Sequence, residues 1–329
     1  MTSLKNIESC WLVFDAEKKG SENQCRGLAE ALGVSEIIAK PIPQAPFLRF
    51  IPRSLWFGFL RFQKGILSGI QADVPDLIIS SGTRGSVVGT FLKKKFQKTF
   101  LVNVLNPRLY HGLFDIIVAP EHDRLKYPNV LEVSGSLHRI TPERLSQEAM
   151  AFKPHHKSFI SPIITVLLGG PSKNFSLEKD HVTTLGRQLA HLHRARQASF
   201  LVSFSRRTPE AFKEEFLKAT KGVPLEIYDP ITSKQPNPYF AYLGLADHII
   251  VTADSISMVA EVCSTGKPVY ISPLPSSVSK MPKKFRHFHQ ALEAKGATKP
   301  FLGSLEKWDV VSLQGDTARI AHEIRERFA

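Results

Sequence analysis

The stretch NPYFAYLGLADHIIVTADSISMVAEVCSTGKPVYI, residues 237–271, decides the fold. Its apolar run Ile249–Val251 ends in the polar sequence Thr252–Ser255, and apolar residues at helical spacing follow before Gly266 and a second β-rich run. This order predicts strand, polar turn, helix, short loop and strand, which is a parallel βαβ unit. The turn of such a unit lies at the carboxyl end of its strand, where the amides of the next helix favour an anion. The pattern therefore indicates a nucleotide-type ligand.

Length and composition indicate two globular domains. The chain has 329 residues, of which 43% are hydrophobic, enough for two cores of ordinary size. Its net charge of +13 favours polyanionic partners, namely phosphorylated ligands, an anionic membrane or nucleic acid. Cys10, Cys25 and Cys263 have no metal-ligand spacing and cannot all pair, so we expect free, buried thiols, no metal site and a reducing compartment.

Strands and helices alternate in both halves of the sequence. Apolar, β-rich runs predict strands at Trp11–Phe14, Leu77–Ser80, Phe100–Leu105, Ile116–Ala119, Ile163–Leu168, Phe200–Ser203, Leu225–Tyr228, His248–Thr252 and Pro268–Ile271. The alternation predicts an α/β fold of two Rossmann-like, doubly wound parallel sheets facing across a cleft. The polar, proline-containing stretch Ala151–Pro162 predicts the linker, so we place the domains at 1–152 and 153–329. A helix over Asp316–Phe328 is expected to pack back on either domain.

Residues 37–72 depart from this alternation. The segment has no acidic side chain, and its basic residues are interleaved with aromatic ones. Two interpretations stay open: a helix that lies in the interface of an anionic membrane, or an insertion whose aromatics complete the first core. No signal sequence and no apolar run long enough for a transmembrane helix is recognisable. We therefore expect a cytoplasmic protein, with peripheral attachment to the inner face of a membrane as a possibility.

A glycine-rich loop follows the first predicted strand of the second half. Gly169 and Gly170 let the backbone approach an anion, while Ser172 and Lys173 add a hydroxyl donor and a charge. The Walker spacing is absent. The sequence predicts a phosphate contact here, and the alternative is a plain tight turn.

Two arginines follow the next predicted strand. Arg206 and Arg207, together with Ser205, precede Pro209, which suits the first turn of a helix. Cations are unfavourable at the amino end of a helix, so the pair indicates an anion between them. Exposed arginines without a ligand are the alternative.

The helix of the opening stretch carries the remaining candidates in this half. Glu261 lies deep in an apolar helix, where a carboxylate requires hydrogen-bond donors such as ribose hydroxyls, or else a structural salt bridge. The helix start carries Asp254, Ser255 and Ser257, which either contact the ligand or simply cap the helix and face solvent.

The first half offers candidates for an acceptor side and for acid–base chemistry. Two loops after predicted strands are expected to form one wall of a cleft and contain Gly20, Ser21, Asn23, Gln24, Gly82, Thr83 and Arg84. Another strand end carries the titratable residues Glu121, His122 and Asp123, which we predict as candidate catalytic residues. No zinc or Ser-His-Asp signature is recognisable.

Six stretches together resemble the "elongated mitochondria" family of mitochondrial fission and its bacterial relatives. They are FDAEKKGSENQCRGLAEALG (14–33), FDIIVAPEHD (114–123), LLGGPSKNF (167–175), FSRRTPE (204–210), the opening stretch (237–271) and KKFRHFHQAL (283–292), and the resemblance spans essentially the whole chain. The family is similar in turn to GT-B glycosyltransferases, including the lipid-linked N-acetylglucosaminyltransferase of peptidoglycan synthesis.

This resemblance implies roles for several residues. Gly169, Gly170 and Ser172 would correspond to the phosphate loop of the donor site, and Glu261 to the acid that binds ribose, with Ser255 and Ser257 lining the same pocket. The family usually has a histidine after the glycine of the first loop, where this chain has Ser21. If that histidine is a catalytic base, this chain lacks it.

Two functions follow from these observations. The first is a metal-independent GT-B-like glycosyltransferase without a tightly bound cofactor, which takes a nucleotide-diphosphate sugar, foremost a UDP-sugar, and acts on a membrane-associated acceptor. The second is a non-catalytic adaptor on a membrane surface that recruits a protein partner, as the resemblance to plant members implies. The basic residues lie in separate segments without a recognition motif, which argues against nucleic acid as a partner.

Overall fold

The computed structural model describes residues 6–44, 51, 55–56, 74–152, 159–172, 175–273, 283–313 and 315–328, without the side chains of His122 and Lys284. Contacts divide the chain into two compact units. Unit 1 comprises Met1–Arg139 and Gly315–Ala329, and unit 2 comprises Ile140–Gln314. In the described part of the chain, no helix is long and apolar enough to cross a membrane.

Unit 1 contains a parallel sheet of six described strands in the order β2-β1-β3-β4-β5-β6. The strands are β1 (Ser9–Asp15), β2 (Glu36–Ile42), β3 (Leu77–Ser81), β4 (Phe100–Val104), β5 (Ile116–Pro120) and β6 (Val130–Val133). The helices are α1 (Lys19–Ala31), α2 (Thr83–Lys95) and the carboxyl-terminal helix Asp316–Phe328. Strands β1, β3 and β5 are buried almost throughout, as expected of central strands covered on both faces.

Unit 2 contains a second parallel sheet, in the order β12-β11-β10-β7-β8-β9 among the described strands. The strands are β7 (Ile163–Leu168), β8 (Ser199–Phe204), β9 (Leu225–Tyr228), β10 (His248–Thr252), β11 (Val269–Ser272) and β12 (Thr298–Pro300). The helices are α3 (Pro142–Ala151), α4 (Lys179–Arg196), α5 (Glu210–Ala219), α6 (Tyr239–Leu245), α7 (Ile256–Cys263) and α8 (Lys283–Ala294). The carboxyl-terminal helix Asp316–Phe328, which belongs to unit 1, is labelled α9. The opening stretch thus forms the predicted βαβ unit β10-α7-β11.

These two sheets confirm the predicted fold class, two Rossmann-like units of parallel sheet with helices between the strands. Every strand predicted from an apolar run is present. Short or edge strands β2, β6 and β12 were not predicted, because their sequences carry prolines, charges or too few apolar residues for a clear pattern. The three cysteines are free and buried, as expected.

The division between the units differs from the predicted boundary at 152/153. Helix α3 belongs to unit 2, because it packs on α6 so closely that a Cβ on Gly244 would collide with the carbonyl of Leu145. The carboxyl-terminal helix α9 belongs to unit 1, where Ile320 and Ile324 are fully buried in the core. Composition marked residues 151–162 as the linker because they are polar, but the change of unit falls at 139/140, before α3.

Segment 37–72 lies largely outside the described residues. Its first part belongs to the strand β2, which pairs with β1, so this part does not form the membrane-interface helix of the first interpretation. Trp56 is 9% exposed and donates from Nε1 to the Ile51 carbonyl over 2.9 Å, packing against the core of unit 1. At this position the aromatic side chain completes the core, and the rest of the basic aromatic stretch is not described.

Candidate functional site

Three loops of unit 2 meet at the carboxyl edge of its sheet because β10, β7 and β8 are neighbours in the sheet. The loop after β7 holds Gly169 and Gly170, the loop after β8 holds Arg207, and the loop after β10 holds Asp254. The residues whose contacts join these loops are separated by 37 to 85 positions along the chain. The structure therefore brings together residues that the sequence placed in three separate motifs.

Asp254 is the centre of this cluster. Its side chain is 2% exposed, and its carboxylate accepts from Arg207 Nη2 over 2.7 Å and from the Thr252 hydroxyl over 2.6 Å. The Gly170 amide points at the same carboxylate from 3.4 Å. A Cβ on Gly169 would collide with this carboxylate, so Gly169 is required for the close approach of Asp254.

This arrangement changes the role predicted for the glycine loop. The amide of Gly169 donates to the Thr252 hydroxyl over 2.8 Å, and that of Ser172 donates to the Phe175 carbonyl, also over 2.8 Å. The anion that the glycines admit is thus the side chain of Asp254. Lys173, predicted for the same loop, lies outside the described residues.

Arg207 was predicted to require an anion because it precedes a helix, and the structure supplies that anion within the chain. Its guanidinium bonds Asp254 and, through Nη1, the Gly170 carbonyl over 3.0 Å, while the side chain stays 43% exposed. Asp254 therefore already neutralises the positive charge of Arg207 at the helix start, the charge from which we predicted a bound anion. Arg206 is exposed and makes no ion pair with any residue in the described part of the chain.

Thr208 links the loop after β7 to the loop after β8. Its hydroxyl donates to the Gly169 carbonyl over 2.6 Å and accepts from the Ser205 amide over 3.1 Å. Helix α5 begins at Glu210 after Pro209, so Thr208 holds the loops of β7 and β8 together instead of capping this helix. Its isolated position before a proline gave no sign of this contact.

The helix after β10 presents its amino end at the same edge. Ser255 is the N-cap of α7 and accepts from the Met258 amide over 3.3 Å. Asp254 is therefore free of the capping role considered for it. Ser257 lies in the first turn, half-buried.

Glu261 lies in the middle of α7, half-buried, and accepts from the Tyr239 hydroxyl over 2.8 Å. Burial, together with the neighbouring Glu261 carboxylate, raises the pKa of Tyr239 well above its ordinary value, so Tyr239 remains a donor. The carboxylate is thus held by a neighbouring helix, α6, which the sequence did not reveal.

Helix α8 adds a residue to this edge that was not predicted as a site residue. His289 Nε2 lies 3.0 Å from the Ala253 carbonyl, next to Asp254. The Phe285 ring of the same helix contacts the Phe175 ring at 4.9 Å, so α8 reaches both the β7 loop and the β10 loop. The sequence of this segment is basic, but only the fold shows which of its side chains reaches the loops.

In unit 1, the side chain of Asp15 binds the amino end of helix α2. This carboxylate, 2% exposed, accepts from the amides of Thr83, Arg84 and Gly85 over 3.2, 2.9 and 2.9 Å. Gly82 has φ of +81°, and a Cβ there would lie 2.6 Å from the carboxyl carbon. The loop predicted at the acceptor side is therefore a capped helix start, and Asp15 was not predicted.

The other acceptor-side residues lie in α1, which begins earlier than expected. Ser21 and Gln24 are buried in its first turns, Asn23 is exposed, and a Cβ on Gly20 would meet open space. These residues are helical because the turn after β1 is only Ala16–Lys18.

The predicted acid–base residues form a 3₁₀ turn, Glu121–Asp123, directly after β5. Glu121 is exposed and accepts from the Ser134 hydroxyl over 3.1 Å. The turn belongs to unit 1 and the cluster around Asp254 to unit 2, and the catalytic role of the turn stays a prediction.

Comparison with known proteins places these features in a family. The sequence model described as mitochondrial fission ELM1 matches residues 19–328. A protein of Rickettsia prowazekii (strain Madrid E), RP120, is 32% identical over 299 residues, 79% of this chain and 82% of that protein. The mitochondrial fission protein ELM1 of Arabidopsis thaliana is 26% identical over 390 residues, which cover 94% of this chain and 89% of that protein.

A solved structure shows the same fold at low identity. The UDP-GlcNAc 2-epimerase of Neisseria meningitidis, bound to UDP-GlcNAc, superposes with a TM-score of 0.51 and 14% identity over 96% of this chain and 98% of the epimerase. This likeness supports a GT-B-like fold of two Rossmann-like units. By the match over nearly its whole length, the chain belongs to the mitochondrial fission ELM1 family.

Proposed function

We propose that this protein binds a nucleotide-diphosphate sugar, foremost a UDP-sugar, at the carboxyl edge of the unit 2 sheet and transfers the sugar to a membrane-associated acceptor. The observation that carries the proposal is the convergence of the β7, β8 and β10 loops around Arg207 and Asp254. In open α/β sheets, ligands bind at the carboxyl ends of the strands. The epimerase of similar fold is a protein bound to UDP-GlcNAc, which supports this class of ligand.

The diphosphate is assigned to the two arginines. Arg206 is exposed, and Arg207 keeps 43% of its side chain in solvent beyond its bond to Asp254. Guanidinium groups bind phosphate oxygens through paired N–H donors. The amides of Gly169 and Ser172 already donate to acceptors within the chain. We therefore assign the contacts to the diphosphate to the two arginines and to the start of α7, which carries Ser255 and Ser257.

The ribose is assigned to Glu261. A carboxylate with a fixed orientation accepts from the two vicinal hydroxyls of a ribose. Tyr239 provides that orientation through its 2.8 Å hydrogen bond.

Transfer requires the bond between the anomeric carbon and the phosphate oxygen to break and a bond from that carbon to an acceptor oxygen to form. The nucleoside diphosphate leaves with the electron pair, and Arg206 and Arg207 stabilise its negative charge. The proton of the acceptor hydroxyl passes to a base, which we assign to the Glu121–Asp123 turn of unit 1. The membrane association of the acceptor rests on the basic aromatic composition of residues 37–72.

Isothermal titration of the full chain with UDP, GDP and TDP tests the binding site. We expect UDP to bind most tightly and Arg206→Ala to weaken it about tenfold, as the loss of a charge-assisted contact implies. Arg194→Ala removes an exposed arginine of the same unit, on α4, and should leave the affinity unchanged. No binding of any nucleotide at millimolar concentration would overturn the donor site.

Transfer is tested separately from binding. The protein is incubated with UDP-N-acetylglucosamine and a membrane lipid extract, and release of UDP is followed. UDP release that depends on the extract and is lost in Glu121→Gln with Asp123→Asn supports transfer. Tight binding of the UDP-sugar without any release of UDP would show that the protein binds the donor but does not transfer the sugar, and would refute the transferase step.

A further inference from the structure

We propose that Nδ1 of His289 accepts a hydrogen bond from a hydroxyl or amide N–H of the bound nucleotide sugar. The proposal rests on the site described for unit 2 and adds a ligand contact from α8. It concerns one ring nitrogen, for which the described part of the chain supplies no hydrogen-bond partner.

The two nitrogens of His289 have different surroundings. Nε2 lies 3.0 Å from the Ala253 carbonyl, and a carbonyl oxygen can only accept, so Nε2 carries the proton. Nδ1 is buried and has no hydrogen-bond partner among the residues that the structure describes. A buried polar nitrogen without a partner is unfavourable by an amount comparable to a lost hydrogen bond, and such atoms are rare in folded proteins.

The protonation state decides what Nδ1 can bind. Burial lowers the pKa of His289, so the ring is neutral at pH 7 with its single proton on Nε2. Nδ1 then offers a lone pair and can only accept. Phosphate and carboxylate oxygens are excluded as partners, and an O–H or N–H donor is required. Sugars and ribose carry such donors.

The position of the ring connects it to the proposed site. The Ala253 carbonyl that holds Nε2 belongs to the residue before Asp254, the centre of the loop cluster. On the preceding turn, Phe285 packs on Phe175, at the end of the glycine loop. Helix α8 is therefore fixed to the same loops whose arginines are assigned to the diphosphate, and His289 is the side chain it presents to the β10 loop.

His289→Gln separates the two nitrogens. The amide nitrogen of glutamine occupies the position of Nε2 and keeps the donation to Ala253, whereas nothing replaces Nδ1. His289→Ala removes both. His287→Gln makes the same replacement at an exposed position of the same helix and serves as the matched control. Thermal melts verify that the variants remain folded.

Calorimetric titration of each full-length variant with UDP, 2′-deoxy-UDP, UDP-glucose and UDP-N-acetylglucosamine tests the contact. We expect His289→Gln to bind about fivefold more weakly than wild type, the effect of one lost hydrogen bond, and His287→Gln to bind normally. Loss with every ligand except 2′-deoxy-UDP places the contact at the ribose 2′-hydroxyl, loss with every ligand places it elsewhere on the nucleoside, and loss with the two sugar nucleotides alone places it at the sugar.

Equal affinity of wild type and His289→Gln for all four ligands would overturn the contact and leave the proposed function intact. Failure of the wild type to bind any of them would overturn both. In wild type that binds, ¹⁵N NMR of the imidazole gives a second readout: Nδ1 should be unprotonated and should shift on addition of ligand. A protonated Nδ1 in the free protein would refute the proposal.

Discussion

The Arg207 guanidinium lies 2.7 Å from the Asp254 carboxylate and joins the loop after β8 to the loop after β10. Asp254 is 2% exposed and Arg207 43% exposed, so the pair has one buried and one solvated partner. The buried carboxylate occupies the place against Gly169 where an anionic ligand was predicted. Its hydrogen bonds organise the edge of the sheet on which the proposed site stands.

Removal of this carboxylate should destabilise unit 2. Asp254→Ala deprives Arg207 and Thr252 of their acceptor, and we expect a loss of about 1–3 kcal/mol in the free energy of unfolding. Urea denaturation followed by circular dichroism measures it. Asp309→Ala, at an exposed residue of the same unit without an ion pair in the described part of the chain, should stay within about 0.5 kcal/mol. Equal stability of the two variants would contradict the structural role of Asp254.

Two glycines should respond oppositely to alanine. Gly169→Ala puts a Cβ into the Asp254 carboxylate and should cost about 1–3 kcal/mol through forced displacement. Gly20→Ala adds a methyl group facing open space in α1 and should stabilise by about 0.5 kcal/mol because alanine favours the helix. Thermal melts of both variants distinguish them, and a destabilised Gly20→Ala would show that the helix start differs from the structure.

In unit 1, Asp15 should behave as the cap of α2 although it lies 68 to 70 residues away from the amides it accepts from. Asp15→Ala leaves three helix-start amides without this acceptor, and we expect a loss of about 2 kcal/mol. Glu132→Ala, exposed on β6, is the control and should have little effect. Hydrogen exchange should show the first turn of α2 losing protection in Asp15→Ala, and unchanged protection would refute the capping role.

Acid should weaken unit 2 partly through Lys213 and Asp229, whose Nζ and Oδ2 lie 2.6 Å apart. Burial, the largest single influence, raises the pKa of Asp229, but the hydrogen bonds that its carboxylate accepts and the charge of Lys213 together outweigh burial, and the pKa is lowered. A lowered carboxyl pKa means that this stability is complete above the unfolded pKa of about 3.9 and is lost as the pH falls below it.

Asp229→Asn should therefore lose less stability than wild type as the pH falls from about 5 to about 2.5, although it is less stable at pH 7. Urea denaturation at a series of pH values gives both slopes. Asp309→Asn should keep the wild-type slope. If Asp229→Asn and wild type fall in parallel, the ion pair does not contribute to acid sensitivity.

Tyr239 should matter for the ligand through Glu261. Tyr239→Phe removes only the hydroxyl that donates to the carboxylate, so Glu261 loses the hydrogen bond by which α6 helps to orient it. We expect UDP affinity to fall about three- to tenfold, with a change of no more than about 1 kcal/mol in stability. Tyr228→Phe, a tyrosine on the edge strand β9, is the matched control for titration calorimetry. Unchanged affinity in Tyr239→Phe would count against the ribose role of Glu261.

Much of the fold was predictable because buried parallel strands are continuous apolar runs. Ile163–Leu168 and His248–Thr252 are strands with the predicted bounds, and each ends in a loop of glycine, hydroxyl or acidic residues. The same reasoning found Gly169, Arg207, Asp254 and Glu261 as candidates. It missed Asp15, Thr208, Tyr239 and His289, because their partners lie in other loops or helices.

The chain sequence by itself determined two parallel-sheet units, the polar loops at their carboxyl edges and membership in a family, since local periodicity and motif order contain that information. Only the tertiary structure decided which loops become neighbours. Strand order sets β10 beside β7 and β7 beside β8, and that order places Asp254 against Gly169 and Arg207. The sequence predicted that a ligand supplies the anion for these loops, whereas the fold supplies the Asp254 carboxylate from the chain itself. The physical reason is that the Arg207 guanidinium and the glycine backbone can accommodate any anion, and the sheet order brings a buried carboxylate within reach.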